Sequence, residues 1–326
     1  MATLASLLDG IEAATATISP ATLGLGGSMQ FLGDDAITVP AGGFTAVYAF
    51  GDSLSDAGND SLATAGVIPV SPPYSDGRFT NGNVWVQDLS QQLGLPPVKA
   101  SLAGGTDYAY GGAETGNTPI HTVNPTDLPS QLGQFVLNTP SPSPNALYTV
   151  WIGSNDVLDI ANHVTDPTQQ QADISAAVQN EDTFLSGLIA AGAKNIMVLN
   201  VPDLGVIPYE TERGSAISAT ASTLSADYDN ELANSLQAIA ASGAAKLDLL
   251  NTYALLDQLV ASPGSYGFTN ASSPVWTGNL TSSSSGVLQA TGSAQNGYVF
   301  FDAMHPTAQA HTLLADAAMQ ELTGVA

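Results

Sequence analysis

The stretch YAFGDSLSDAGND, residues 48 to 60, places Ser53 directly behind an apolar run and among small residues. A serine hydroxyl attacks a carbonyl only when a neighbouring base takes its proton, so the first requirement is a histidine. FFDAMHPTAQAH supplies one. His305 stands three residues after Asp302, and a carboxylate at that spacing can curl back to accept the Nδ1 proton and leave Nε2 facing a hydroxyl. WIGSND adds Asn155, whose amide can be aimed at a developing oxyanion, an effect of roughly 3–4 kcal/mol. TDYAYGGAETG adds Gly111 and Gly112, where a backbone N–H can approach a ligand with no side chain in the way. A turn or a helix cap, such as Asp52 or Ser53 before a helix at Leu54, also explains each segment alone. Four of them at strand ends in one chain point to a single site.

The elements that must position these residues can be read from apolar runs and their spacing. TAVYAF (45 to 50), ALYTVWIG (146 to 153), NIMVLNV (195 to 201) and AKLDLLNT (245 to 252) have the continuous apolar character of strands buried on both faces. Helical periods fall at about 83–93, 168–192, 212–241 and 306–323. Pro306 would then open the last helix, with His305 in the loop before it. Strands alternating with helices predict an α/β fold, a three-layer α/β/α sandwich on a mostly parallel, doubly wound sheet, and such sheets bind ligands at the carboxyl ends of their strands. Residues 1–43 form an N-terminal extension of undetermined role, and 44–326 one domain. The Ser/Gly/Thr-rich stretch 262–297 is long for an irregular loop and reads as a mobile lid or a wall of the site.

Composition narrows the partners. Twenty-nine acidic residues against five basic ones give a formal charge of −24, which repels nucleic acid and anionic bilayers. With four histidines and no cysteine, neither a disulfide framework nor a thiolate or histidine-rich metal site is expected, and the spacing of Asp56 and Asp60 does not match a calcium loop. No metal or cofactor is expected. No apolar run is long enough for a membrane helix. Only 10% of residues are charged; such a neutral polar coat is commoner outside the cell, so a secreted or extracytoplasmic protein is expected. Residues 1–20 lack a basic region and carry Asp9 and Glu12, unlike a secretory leader; either a leader is removed from this chain or export uses another route. Nothing in the composition fixes the oligomeric state.

Position by position, FGDSLSDAGN (50 to 59), YAYGGA (108 to 113), GSND (153 to 156) and DAMHPT (302 to 307) resemble the four blocks of the GDSL esterases and lipases, the SGNH hydrolases. The resemblance runs from about residue 45 to the end and implies a flavodoxin-like sandwich. It implies a Ser53 nucleophile, a His305 base oriented by Asp302, and an oxyanion hole made by the N–H groups of Ser53 and Gly112 with the amide of Asn155. Family members often carry asparagine where this chain has Asp107. The activity implied is ester hydrolysis through an acyl-enzyme on a small-molecule or lipid ester. Acyl transfer to another alcohol, removal of acetyl groups from carbohydrate, and a non-catalytic binding module are the alternatives. Phe268 and Trp276, in the 262–297 stretch, are expected to line the substrate path as an apolar rim. His311 is expected to pack within the last helix, and His121 and His163 to lie in polar loops without a partner pattern. Asp52, Asp56 and Asp156 are expected to hold turns. The surrounding negative charge should raise the pKa of His305 and move activity above neutral pH.

Overall fold

A computed structural model describes residue 37 and residues 39–323; most of the expected N-terminal extension lies outside the described residues. Four strands, β1 (Val47–Gly51), β2 (Leu147–Trp151), β3 (Asn195–Leu199) and β4 (Lys246–Leu250), pair in parallel in the order β1-β2-β3-β4. Each coincides with an expected apolar run. Outside β1, residues 106–110 add a short parallel segment: Ala49 N–H donates to Thr106 and Tyr108 N–H to Ala49. The chain therefore steps from β1 to one side, returns, and builds the rest of the sheet on the other. The carboxyl end of β1 is the point where the winding direction reverses, the place where open α/β sheets bind ligands.

Helices cover both faces of the sheet. In chain order they are α1 (Asn59–Ala63), α2 (Trp85–Gln92), α3 (Leu128–Asn138), α4 (Ser154–His163), α5 (Pro167–Ala191), α6 (Pro208–Thr211), α7 (Ser215–Ala240), α8 (Thr252–Ala261) and α9 (Ala308–Thr323). One layer pairs α2 with α9; the other packs α5 against α3, α4 and α7. Apolar side chains of both layers and the sheet form one continuous core, in which Phe50, Tyr108, Phe135 and Phe184 meet ring to ring. Ile37, inside the expected extension, is buried in the same core, and its N–H donates to Asp248 in β4. Among the described residues no helix is long and apolar enough to cross a membrane.

Phe268 and Trp276 of the 262–297 stretch do not form an apolar rim to the cleft. Phe268 sits in the main core, and Trp276 joins Tyr74, Val275 and Phe301 in a second buried cluster. Both residues expected to line the substrate path are thus 2–3% exposed, because burial of a large ring outweighs leaving it on a wet edge. They act as a wall behind the loop that carries Asp302. The last helix also starts later than expected, at Ala308: Thr307 Oγ1 accepts from Ala310 N–H, and Pro306 lies in the preceding loop.

Many of the acidic residues are interior. Asp52, Asp56, Asp156 and Glu181 are buried, and among the described residues no Lys or Arg ion pair to any of the four is found. Burial pushes Asp52, Asp56 and Asp156 up to about 7 and Glu181 to about 8. Unfolded, these groups would titrate near 4. Between about pH 4 and 8 the folded chain therefore holds more protons than the unfolded one, and stability must fall as pH rises through that window. The melting temperature is expected to be higher at pH 5 than at pH 8, by on the order of 10 °C. Calorimetry across that range checks it; a maximum at pH 8 would contradict the burial argument.

Candidate active site

Ser53 follows β1 by two residues, and the turn that presents it depends on Gly51. That residue has φ +141°, and a Cβ there would meet the Trp151 carbonyl oxygen at 1.9 Å, so no other side chain fits between β1 and β2. Asp52 Oδ1 accepts from Leu54 N–H at 2.9 Å, which closes the turn around the serine. Gly153 plays the matching role after β2: with φ +100° and a Tyr228 ring 2.6 Å from where its Cβ would be, it lets α4 begin at Ser154. Asn155 thereby falls in the first turn of α4, past the carboxyl end of β2.

The loop from Phe301 to His305 is pinned from several sides. Phe301 N–H donates to the His305 carbonyl and Trp276 N–H to that of Phe301. Thr80 Oγ1 donates to the carbonyl of Pro306 at 2.8 Å, and Asn81 Oδ1 accepts from Ala308 N–H at 2.8 Å. This loop brings His305 Nε2 to 2.9 Å from Ser53 Oγ, across 252 residues of sequence. On the other ring edge, Nδ1 lies 2.8 Å and 2.9 Å from the two Asp302 oxygens. Asp302 Oδ1 also accepts from the N–H groups of Met304 and His305, and Oδ2 from Tyr74 O–H at 2.6 Å. Phe79 packs its ring 5.3 Å from the imidazole.

These contacts set the charges. Burial opposes ionisation of Asp302, but the His305 charge and the bonds from His305, Tyr74 and Met304 outweigh it and hold the carboxyl below its usual range. Burial likewise opposes the His305 cation; Asp302, and beyond it Asp52, reverse that and raise the imidazole above its ordinary value. The carboxylate therefore accepts the Nδ1 proton and leaves Nε2 free to accept from Ser53.

Of the expected oxyanion donors, Asn155 lines the same cleft as Ser53 and His305, whereas Gly112 is not among its lining residues. Asn155 donates one amide hydrogen to the Ala113 carbonyl at 2.9 Å, which ties it to the glycine turn and leaves its second hydrogen for a ligand. Gly112, at φ +71°, is exposed. Among the described residues nothing accepts from the backbone N–H of Ser53 or of Gly112. Asp107, the departure from the family's asparagine, is buried and links the two blocks: Oδ2 accepts from Ala57 N–H at 2.6 Å and Oδ1 from Ala109 N–H at 3.0 Å. Burial and the neighbouring Asp56 push it well above the usual carboxylate range.

A cleft, open at its mouth, runs from Ser53 and His305 between α8, α9 and residues 202–207. Leu54, Leu158, Leu204, Leu255, Leu259 and Phe300 give it an apolar lining. Neither Phe268 nor Trp276 is among its lining residues. His311 is buried in α9 as expected, with Nδ1 accepting from Trp85 N–H; burial, then the His305 charge, holds it down at about 3. His121 differs from its expectation, for its two nitrogens lie 3.2 Å from Glu114 and 2.8 Å from Asp127, partners six and seven positions away in an irregular loop. His163 ends α4, beside Asp159. Among the described residues no group of three or more His, Asp or Glu side chains could hold a metal ion.

A serine at the carboxyl end of a parallel strand, facing a histidine held by an aspartate, is the constellation on which α/β serine hydrolases are built. Comparison with known proteins gives the family. The chain belongs to the GDSL-like lipase/acylhydrolase family, whose model matches residues 47–318. It is 30% identical over 253 residues to a phosphatidylcholine-sterol acyltransferase of Aeromonas hydrophila, covering 76% of this chain and 71% of that one. It is 28% identical over 291 residues to the thermolabile hemolysin of Vibrio parahaemolyticus, covering 86% of this chain and 64% of that relative's length. A solved GDSL-family lipolytic protein from Veillonella parvula aligns over 84% of this chain and 96% of its own, with a TM-score of 0.43 and 11% identity.

Proposed function

We propose that this protein hydrolyses carboxylic esters of apolar acyl chains through an acyl-enzyme on Ser53. The observation that carries this reading is the 2.9 Å contact between Ser53 Oγ and a His305 whose other nitrogen is held by Asp302. Ser53 Oγ attacks the ester carbonyl carbon while its proton passes to His305 Nε2. The carbonyl oxygen gains the negative charge and is met by the N–H groups of Ser53 and Gly112 and by the Asn155 amide. Collapse expels the alcohol, which takes the proton from His305. Water then repeats the sequence, giving up its proton to His305 and releasing the acid and free Ser53.

The apolar lining of the cleft supports an acyl chain of several carbons, because each methylene buried there is worth about 0.8 kcal/mol. On p-nitrophenyl esters kcat/KM is expected to rise about fourfold per added methylene from acetate upward, until the cleft is filled. Equal rates on acetate and hexanoate would remove the acyl chain from the cleft. Acyl transfer is a second reading, favoured by the name of the relative at 30% identity: an alcohol in place of water would resolve the same acyl-enzyme. Adding a long-chain alcohol during turnover, and measuring ester formed against acid released, separates the two.

A further inference from the structure

One buried carboxylate at the site has no part in the reaction as written. Asp52 directly precedes Ser53 and is 1% exposed; it lines the same cleft as Ser53 and His305. Its Oδ1 accepts from Leu54 N–H, but its Oδ2 is buried with no hydrogen-bond partner. An uncompensated carboxylate oxygen in an apolar interior is costly, and a turn at Leu54 needs only one acceptor, which asparagine would supply equally well. The spare oxygen therefore asks for a charge to face.

We propose that Asp52 is a positioning residue of the reaction, a second carboxylate that faces His305 and stabilises the imidazolium formed when Ser53 gives up its proton. This inference rests on the Ser53–His305 reading above. The proton that leaves Ser53 Oγ is carried on His305 Nε2 until the alcohol departs with it. During that interval the positive ring has Asp302 bonded at Nδ1 and Asp52, which lines the same cleft, acting through space. Among the described residues the other titratable groups at this pair are Tyr74, which donates to Asp302, and His311 of α9, which is neutral at working pH. Phe79 closes a further side and carries no charge.

Asp52 can act this way only when ionised. Burial raises its pKa to about 7, with Leu54 N–H and His305 pulling the other way. The working form thus has lost two protons, one from Asp52 and one from His305, and the two titrations are linked. Loss of Asp52's charge should also let His305 titrate at lower pH.

The test is the pH dependence of kcat/KM on p-nitrophenyl butyrate for the wild type and for Asp52→Asn, which keeps an acceptor for Leu54 N–H. In the wild type the acid limb should be steeper than a single proton allows. In Asp52→Asn it should become a one-proton limb displaced to lower pH, with kcat at pH 8 reduced about tenfold and KM little changed. Asp52→Glu, which restores a carboxylate, should recover part of the steepness. A wild-type limb that fits one proton overturns the proposal whatever the variants do. So does an Asp52→Asn limb of unchanged shape and position, even if kcat falls. Activity retained by Ser53→Ala would instead overturn the reading on which it rests.

Discussion

Ser53→Ala is expected to fold as the wild type does and to lose about a million-fold in kcat on every ester the wild type turns over. Among the described residues the side chain's one hydrogen-bond partner is His305 Nε2, and the turn that presents residue 53 is made by Gly51 and Asp52, so removing an oxygen leaves the frame in place. Loss of the nucleophile leaves binding and the oxyanion donors, which alone sustain only a small fraction of the rate. Steady-state kinetics beside a thermal melt decides it. A variant that melts like the wild type and retains even a hundredth of its kcat would require a different nucleophile.

Asp302→Asn should cost about ten-thousand-fold in kcat near neutral pH. The carboxylate accepts from Met304 N–H, His305 N–H, Tyr74 O–H and His305 Nδ1. An asparagine can keep Oδ1 on the two backbone donors, which turns its amide hydrogens toward Nδ1. The imidazole must then accept there and carry its proton on Nε2, facing Ser53 with a donor where an acceptor is needed. KM should change far less than kcat, since the cleft lining is untouched. Rates within tenfold of wild type would mean that Asp302 merely braces the loop.

The sheet was legible in the sequence because each strand is buried on both faces and so reads as an unbroken apolar run, from Val47 to Leu250. The long helices were legible from their period. Helices α4 and α8 were not: each starts within three residues of a strand end, Ser154 after Trp151 and Thr252 after Leu250, leaving no turn residues to mark the change. Ser53, Asn155 and the Asp302–His305 pair stood out because their chemistry and their strand-end places coincide. Tyr74, the donor to Asp302, carries no such mark; it lies 228 residues away in sequence, and only the folded wall of Phe301 and Trp276 brings it in. The rim role expected of Phe268 and Trp276 failed because exposure of an aromatic cannot be told from a composition of serine and glycine around it. The burial of Asp56 and Asp107 was hidden for a similar reason: a carboxyl serving backbone N–H groups in a core, as these two do, reads, residue by residue, like one at a surface turn.

The most direct test of the central claim is covalent labelling with a p-nitrophenyl alkylphosphonate, which an activated serine attacks at phosphorus, releasing p-nitrophenolate and leaving a stable phosphonyl ester. Intact mass and peptide mapping should place one phosphonyl group on Ser53, with none taken up by Ser53→Ala. Label on another residue, or ester turnover that persists with Ser53 unlabelled, would contradict the assignment of Ser53 as the nucleophile.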